Sequence, residues 1–364
     1  DIYELLAARP KVRLHINGEI TITADSDDAI NKLYFDNDHM FTTLNINTPQ
    51  VKKPEPIYAE GSDDIVGYSK VLGNCEINVA KGGALNTKTN GIDIVANVNN
   101  DGTVNAKDIT GDVLNNGTLT ADNIYGENEL ICEKDHCACS SEQVKKHMVS
   151  VLNNNVLTVN GTVVGDMCNW NQATVKTVKG ALRNMGTMTV NNAPNFSNKQ
   201  SGTLTFAGTT DGIVSGSNGA ANRGGVINVT GTTEFAQLFN DGATLNINAD
   251  VTFTGLVKNG YGEHDAKTAT INIAKDKTVK VKSPAELRNS MNAVINVEGN
   301  LGDNIKNSGE VFVKGQGQFI ANGIVSEYSK DVIKPTGGSR KLDIYTNSYK
   351  LLNEYVLALF IFSL

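Results

Sequence analysis

Apolar residues recur at every second position over most of this chain, in short runs separated by polar turns. The first clear run is Val12, Leu14 and Ile16; Asn17-Gly18 interrupts it, and Ile20, Ile22 and Ala24 resume it. A strand with one buried face requires this alternation. From Gly73 the runs become dense. Cys75-Ile77-Val79, Ile92-Ile94, Val104-Ala106, Leu119-Ala121 and Leu157-Val159 are followed by Met188-Val190, Leu204-Phe206, Ile227-Val229, Leu245-Ile247, Val251-Phe253, Ile271-Ile273, Val279-Val281, Ile295-Val297 and Val311-Val313. Each run predicts a short strand.

The runs are copies of one template. NNDGTVNA at 99–106 returns as LNNGTLTA at 114–121, with Gly117 in the place of Gly102. Asn184-Met-Gly186, Ser201-Gly202, Asn240-Asp-Gly242 and Asn307-Ser-Gly309 open further copies: a polar turn, a glycine, then alternating apolar residues. Where no loop intervenes the glycines fall about 15 to 17 residues apart. That period is too short for a four-stranded propeller blade and leaves no room for the helical half of a leucine-rich repeat. The remaining solution is a parallel β-solenoid, in which each coil buries its apolar residues against its neighbours. Gly102, Gly117, Gly186, Gly202, Gly242 and Gly309 are then the repeat turns, where positive φ is expected. Asn115, Asn116 and Asn240 precede such glycines, and stacked asparagines there can hydrogen-bond between coils and tolerate left-handed backbone.

Composition agrees with this reading and narrows the function. Gly is 35 of 364 residues, Pro only 7, and Asn about one residue in eight, a turn-rich β balance that leaves backbone donors free for ladders. A net charge of −7 gives no footprint for a phosphate backbone, so nucleic acid is not an expected partner. Five cysteines are neither a disulfide scaffold nor paired metal motifs, and leave the redox compartment open. The chain starts at Asp1, which predicts a mature or excised segment.

Three regions follow. Residues 1–66 form an N-terminal cap and irregular first coils, with a helix over 2–8 ended by Pro10. Residues 67–335 hold the coils, interrupted at about 126–150 by a charged, cysteine-rich insertion expected as a solvent-exposed loop or short helix. Residues 336–364 are a C-terminal cap or tail. The apolar run from Val356 to Phe362 is too short to span a bilayer, and a helix from about Tyr349 is expected to cover the last coil.

The repeated N-x-G-T-L-x-V coils, over about residues 70–325, resemble the pectate-lyase-like superfamily of β-helix proteins. They are most similar to the non-catalytic passenger and haemagglutinin-type regions of bacterial surface proteins. The resemblance implies an all-β, single-stranded right-handed parallel β-helix, exported by a bacterium to its surface or beyond.

Candidate chemistry is sparse. Asp27-Asp28 and Asp63-Asp64 are adjacent pairs, but neighbours on a strand point to opposite faces, so each pair offers one carboxylate per face. The Asn-Thr-Asp, Gly-His-Gly and Arg-Ile-Lys signatures of the enzymes of this superfamily are absent. Cys132, Cys137 and Cys139 with His136 could form a disulfide, hold a soft metal such as zinc, or remain inert thiols; the spacing matches no standard metal motif. Cys75 and Cys168 read as small core residues. GAANRGG at 219–225 is followed by a strand and not by a helix, so it reads as a wide turn and not as a phosphate loop. Two functions of different class remain. The first is a non-enzymatic extracellular or cell-surface protein, without cofactor, presenting a repetitive polar face to a polysaccharide or another surface protein. The alternative is a diverged polysaccharide lyase or glycoside hydrolase.

Overall fold

The computed structural model describes residues 75–88, 93–95, 97–132, 147–210, 212–260, 268–290, 293–307 and 309–313, together with short strands between 12 and 68 and between 318 and 344. The helices expected at 2–8 and from about Tyr349, the pairs Asp27-Asp28 and Asp63-Asp64, and His136, Cys137 and Cys139 lie outside these residues. Contacts divide the chain into two compact units, Asp1–Phe196 and Ser197–Leu364. Each builds the same plan from its own residues.

In the first unit, one coil is three strands: Asn97–Asn100, Thr103–Asn105 and Asp108–Thr110. The next coil repeats them as Val113–Asn115, Thr118–Ala121 and Asn123–Tyr125. Every strand pairs parallel with its counterpart one coil away. On the first face the register stacks Val98, Val113, Val151, Met167 and Leu182. On the second it stacks Val104, Leu119, Leu157, Ala173 and Met188, and on the third Ile94, Ile109, Ile124, Val163 and Val178. All fifteen side chains are buried. The chain is therefore an all-β parallel β-helix, with a core of apolar columns perpendicular to the strands. Alternation produces it because the period of 2 returns each apolar residue to the same face.

The repeat glycines have a different cause from the one their motif suggests. Among them positive φ occurs only at Gly242 (φ 53). At Gly102, Gly117, Gly186 and Gly309 the constraint is the neighbouring coil: a Cβ on Gly117 would stand 2.1 Å from the carbonyl oxygen of Gly102, and one on Gly102 would stand 2.2 Å from that of Gly83. The corner between first and second faces stacks backbone directly on backbone, and only hydrogen fits between.

The second unit has three faces too, but longer coils. Asn222, Asn240 and Asn259, at equivalent positions, are 18 and 19 residues apart, against 15 between Asn100 and Asn115 in the first unit. A longer coil encloses a wider section, and larger side chains fill it. Phe206, Phe235 and Phe253 are buried, with ring centroids 5.0 Å apart for the first pair and 6.3 Å for the second. Here the third face is a six-stranded sheet from Thr233–Phe235 through Gln318–Ala321 to Ile324–Glu327. Its last pairing is antiparallel, and Glu310–Val313 likewise meets Val332–Thr336 antiparallel. Antiparallel strands at the end of a parallel stack occupy an edge that would otherwise template another chain. The segment 219–225, expected as a wide turn, instead contains the strand Gly219–Arg223 of the first face. Its glycines hid an alternation in which Ala220 and Asn222 are buried.

Polar columns run beside the apolar ones. At the end of the first face in unit one, Asn100, Asn115, Asn153, Asn169 and Asn184 are all fully buried. Each Nδ2 donates to the Oδ1 of the next, at 2.8, 2.7, 2.7 and 2.8 Å. The second amide hydrogen goes to the backbone: Asn100 to Thr118 O at 3.0 Å and Asn115 to Val156 O at 2.9 Å. Unit two repeats the device through Asn198, Asn222, Asn240, Asn259, Asn289 and Asn307, at 2.8 to 2.9 Å per rung. A buried amide is costly unless its donors and acceptor are used, and one amide per coil at this spacing uses them. Asn116 follows Asn115 in sequence but points outward: it is exposed and donates to Asp101 Oδ1 at 2.8 Å.

Candidate binding face

The outward positions of the second face form two parallel rows. In unit one the first row is Thr103, Thr118, Val156, Gln172 and Thr187, and the second is Asn105, Thr120, Thr158, Thr174 and Thr189. Parallel pairing fixes successive members about 4.8 Å apart. β-Branched threonine suits such a strand and holds its hydroxyl in few rotamers. Unit two shows the same face with amides: Asn228, Asn246, Asn272 and Asn296 are linked at 2.9, 2.8 and 2.8 Å. One bond per rung leaves each of these half-buried amides a further hydrogen for solvent or a ligand. The result is a flat, neutral array of donors and acceptors.

Beside it in unit one, an open polar groove follows the corner between the first and second faces. Lys81, Asp101, Thr103, Asn116, Thr118 and Asn155 are among the residues that line it. Asn154 donates to Asn116 Oδ1 at 2.8 Å, extending the outer polar row that Asn116 and Asp101 begin.

Charged residues from successive coils do converge, at the corner between the second and third faces, and they are engaged with one another. Lys88 Nζ lies 2.6 Å from Asp122 Oδ1, and Lys107 Nζ 3.4 Å from Asp93 Oδ1. Asn160 donates to Asp122 at 2.9 Å and Asn123 to Asp108 at 2.9 Å. The hydrogen bonds from Asn160 and Lys88 hold the Asp122 carboxyl below the usual range, so it stays ionised and is unsuited to donate a proton. Asp112 is pushed the other way by burial, against the backbone N–H groups of Glu127 and Glu129 that it accepts, each at 2.8 Å. Those bonds tie down the start of the insertion, a structural task. Among the described residues, no three His, Cys, Asp or Glu side chains gather closely enough to hold a metal ion, and no helix is long and apolar enough to cross a membrane.

No family model, curated protein or solved structure matches this chain. Its functional reading therefore rests on the face itself.

The cysteine-rich insertion is not the free loop that its charge suggests. Its two ends, Leu130–Cys132 and His147–Val149, form an antiparallel hairpin, with Cys132 opposite His147. Cys132 and Val149 are buried against Cys168 and Met185, with Leu130, Leu152 and Trp170 packed around them. Cys168 is buried, but not in the coil interior. It sits between the inward Met167 and Asn169, in register with the outward Leu152 and Arg183, so the hairpin covers an apolar patch on the outside of the first face. The signal was present in the sequence: Leu152, Cys168 and Trp170 put apolar residues at outward positions, which an exposed strand would not do.

Proposed function

We propose that this chain is a non-catalytic, exported β-helix protein whose second face makes weak, repeated hydrogen-bonded contact with a glycan. The observation that carries this is the pair of rows in which Thr, Asn or Gln offers neutral donors and acceptors at successive rungs, interrupted in unit one only at Val156. Sugar hydroxyls are matched by such groups, and a polymer lying across many rungs gains affinity by repetition. Single contacts should be weak, because the array is flat, water competes at every rung, and the one tryptophan, Trp170, is packed beneath the hairpin and is not displayed for ring stacking. The paired state of the convergent charges supports a scaffold over a catalyst.

The test combines a glycan array with a reducing-end assay on acidic and neutral polysaccharides. Binding that rises with chain length and falls when Thr118, Thr120, Thr158 and Thr174 are replaced by alanine supports the proposal. Product release that persists through repurification, or tight monovalent binding of a short oligosaccharide, refutes it.

A further inference from the structure

The hairpin and the face beneath it bring together two thiols that lie 36 positions apart in the chain. Cys132 ends one hairpin strand, Cys168 is the outward residue of Met167–Asn169, and both are fully buried in one cluster with Val149 and Met185. Both are reduced in this structure. Both thiols belong to one small buried cluster and interact with each other there, the juxtaposition that a disulfide requires. We propose that Cys132 and Cys168 are a disulfide-forming pair, which on oxidation staples the insertion to the outside of the coil. This differs from the pairings within 132–139 that the spacing of Cys132, Cys137 and Cys139 suggests, because strand pairing and not sequence proximity selects the partner.

The reaction takes an external disulfide, RSSR, as oxidant. The Cys132 thiol loses its proton, and its thiolate attacks one sulfur of RSSR; the S–S bond breaks, leaving a Cys132–S–S–R mixed disulfide and one thiolate that takes up a proton. Cys168 then loses its proton and attacks the Cys132 sulfur, expelling the second RS⁻, which is protonated in turn. Two protein thiols are oxidised and RSSR is reduced to two RSH. In the closed state this is slow, because the hydrogen bond to Cys132 and burial both push the Cys168 thiol well above its ordinary range, with Arg183 opposing them, and the thiolate is the reacting species. The hairpin must lift for the oxidant to enter, so local opening sets the rate. The staple then fixes the cover over Leu152, Trp170 and Met185.

The test uses the full chain, incubated with oxidised glutathione, alkylated without reduction and digested with trypsin near neutral pH. Trypsin separates the candidates: Cys75 falls in 71–81, Cys132 in 108–134, Cys137 and Cys139 in 135–145, and Cys168 in 147–176. The expected product joins 108–134 to 147–176, forms faster in mild urea than in buffer, and raises the thermal midpoint by several degrees. Cys168→Ser should remove both the cross-link and the shift; Cys168→Val, which keeps an apolar group under the hairpin, guards against a variant that fails to fold. A link from 108–134 to 135–145, or full alkylation of Cys168 after oxidation, overturns the proposal.

Discussion

Asn115 and Asn116 are the same residue type at adjacent positions, and the structure gives them opposite fates. Replacing each by alanine is therefore a direct test of the buried asparagine column. Asn115→Ala removes the acceptor of Asn100 Nδ2 at 2.8 Å and the donors to Asn153 Oδ1 and Val156 O at 2.7 and 2.9 Å. Asn100 keeps its bond to Thr118 O and Asn153 Oδ1 keeps only a long one, 3.4 Å, from the Asn155 N–H, so one Asn100 hydrogen is orphaned and the Asn153 oxygen nearly so in a fully buried site. Each such orphan costs about 1–3 kcal/mol, or about 2–6 kcal/mol together, a large fraction of the 5–15 kcal/mol typical of a domain. Asn116→Ala gives up two exposed bonds, one to Asp101 and one from Asn154, and water replaces the lost partners, so its cost should stay below about 1 kcal/mol. Asn100 supplies an internal scale. Val79 and not an asparagine is its partner on the far side, so Asn100→Ala orphans one fully buried group, the Asn115 oxygen, at about 1–3 kcal/mol, while the half-buried Gly102 N–H that loses its Asn100 acceptor can turn to water. Urea unfolding followed by Trp170 fluorescence reads the first unit, because that tryptophan is the chain's only one. Equal midpoints for the 115 and 116 variants would refute the reasoning and reduce the column to a by-product of stacking.

Gly117→Ala should destabilise by about 1–3 kcal/mol through forced displacement of the stacked corner, whereas Gly82→Ala, at φ +85 with nothing within 4 Å of the new Cβ, should cost only about 1 kcal/mol of backbone strain; chemical denaturation of both separates the two mechanisms. Glu286 is held below the usual glutamate range by hydrogen bonds from Lys306 and Arg288. Its contribution is thus present above the ordinary glutamate value and is lost as pH falls through the depressed folded one, so Glu286→Gln should flatten that part of the acid limb of the stability profile. The change should stay below about 1 kcal/mol because both cations are about half exposed and screened; a larger change, or one of opposite sign, would contradict the assignment. Replacing 127–146 by a short turn should leave the β-sheet circular dichroism intact but uncover Leu152, Cys168 and Trp170, giving a clear rise in binding of a hydrophobic dye; unchanged dye binding would show that the hairpin covers nothing.

The coils were legible in the sequence because their signal is local. Leu119 and Ala121, or Leu245 and Ile247, each state within one strand which side faces inward, and the recurrence of that statement about every 15 residues identifies the stack. The same rule would have separated Asn115 from Asn116, since alternation sends neighbours to opposite sides; grouping them by type hid a column that includes Asn153 and Asn169, and the separate one in the second unit through Asn222, Asn259 and Asn289. The glycines were legible as a position but not as a cause. A sequence shows that Gly117 lacks a side chain, while the reason, the carbonyl of Gly102 lying 2.1 Å from where its Cβ would be, belongs to the coil above it.

The hairpin was the least legible element, and its physics explains why the outside of a β-helix is where new properties arise. Inward positions are fixed by the stack: Val113 between Val98 and Val151 has no freedom except in volume. Outward positions are constrained only by what lies over them, so their composition is evidence about a neighbour. Where Thr103, Thr118 and Thr187 face outward, half or more of each row is hydroxyl and amide, and water or a soluble ligand is the neighbour that fits. Where Leu152 and Cys168 face outward, hydrocarbon and sulfur call for a cover, and the chain supplies it from Leu130, Cys132 and Val149. One unit thus presents two outer surfaces with opposite chemistry on adjacent faces, one closed by its own insertion and one on which Thr103, Thr118 and Thr187 are exposed. The second is the surface on which the proposed contact depends, and substitutions that convert its threonines to leucine should turn a hydrated array into an aggregating edge-on patch without disturbing the columns inside.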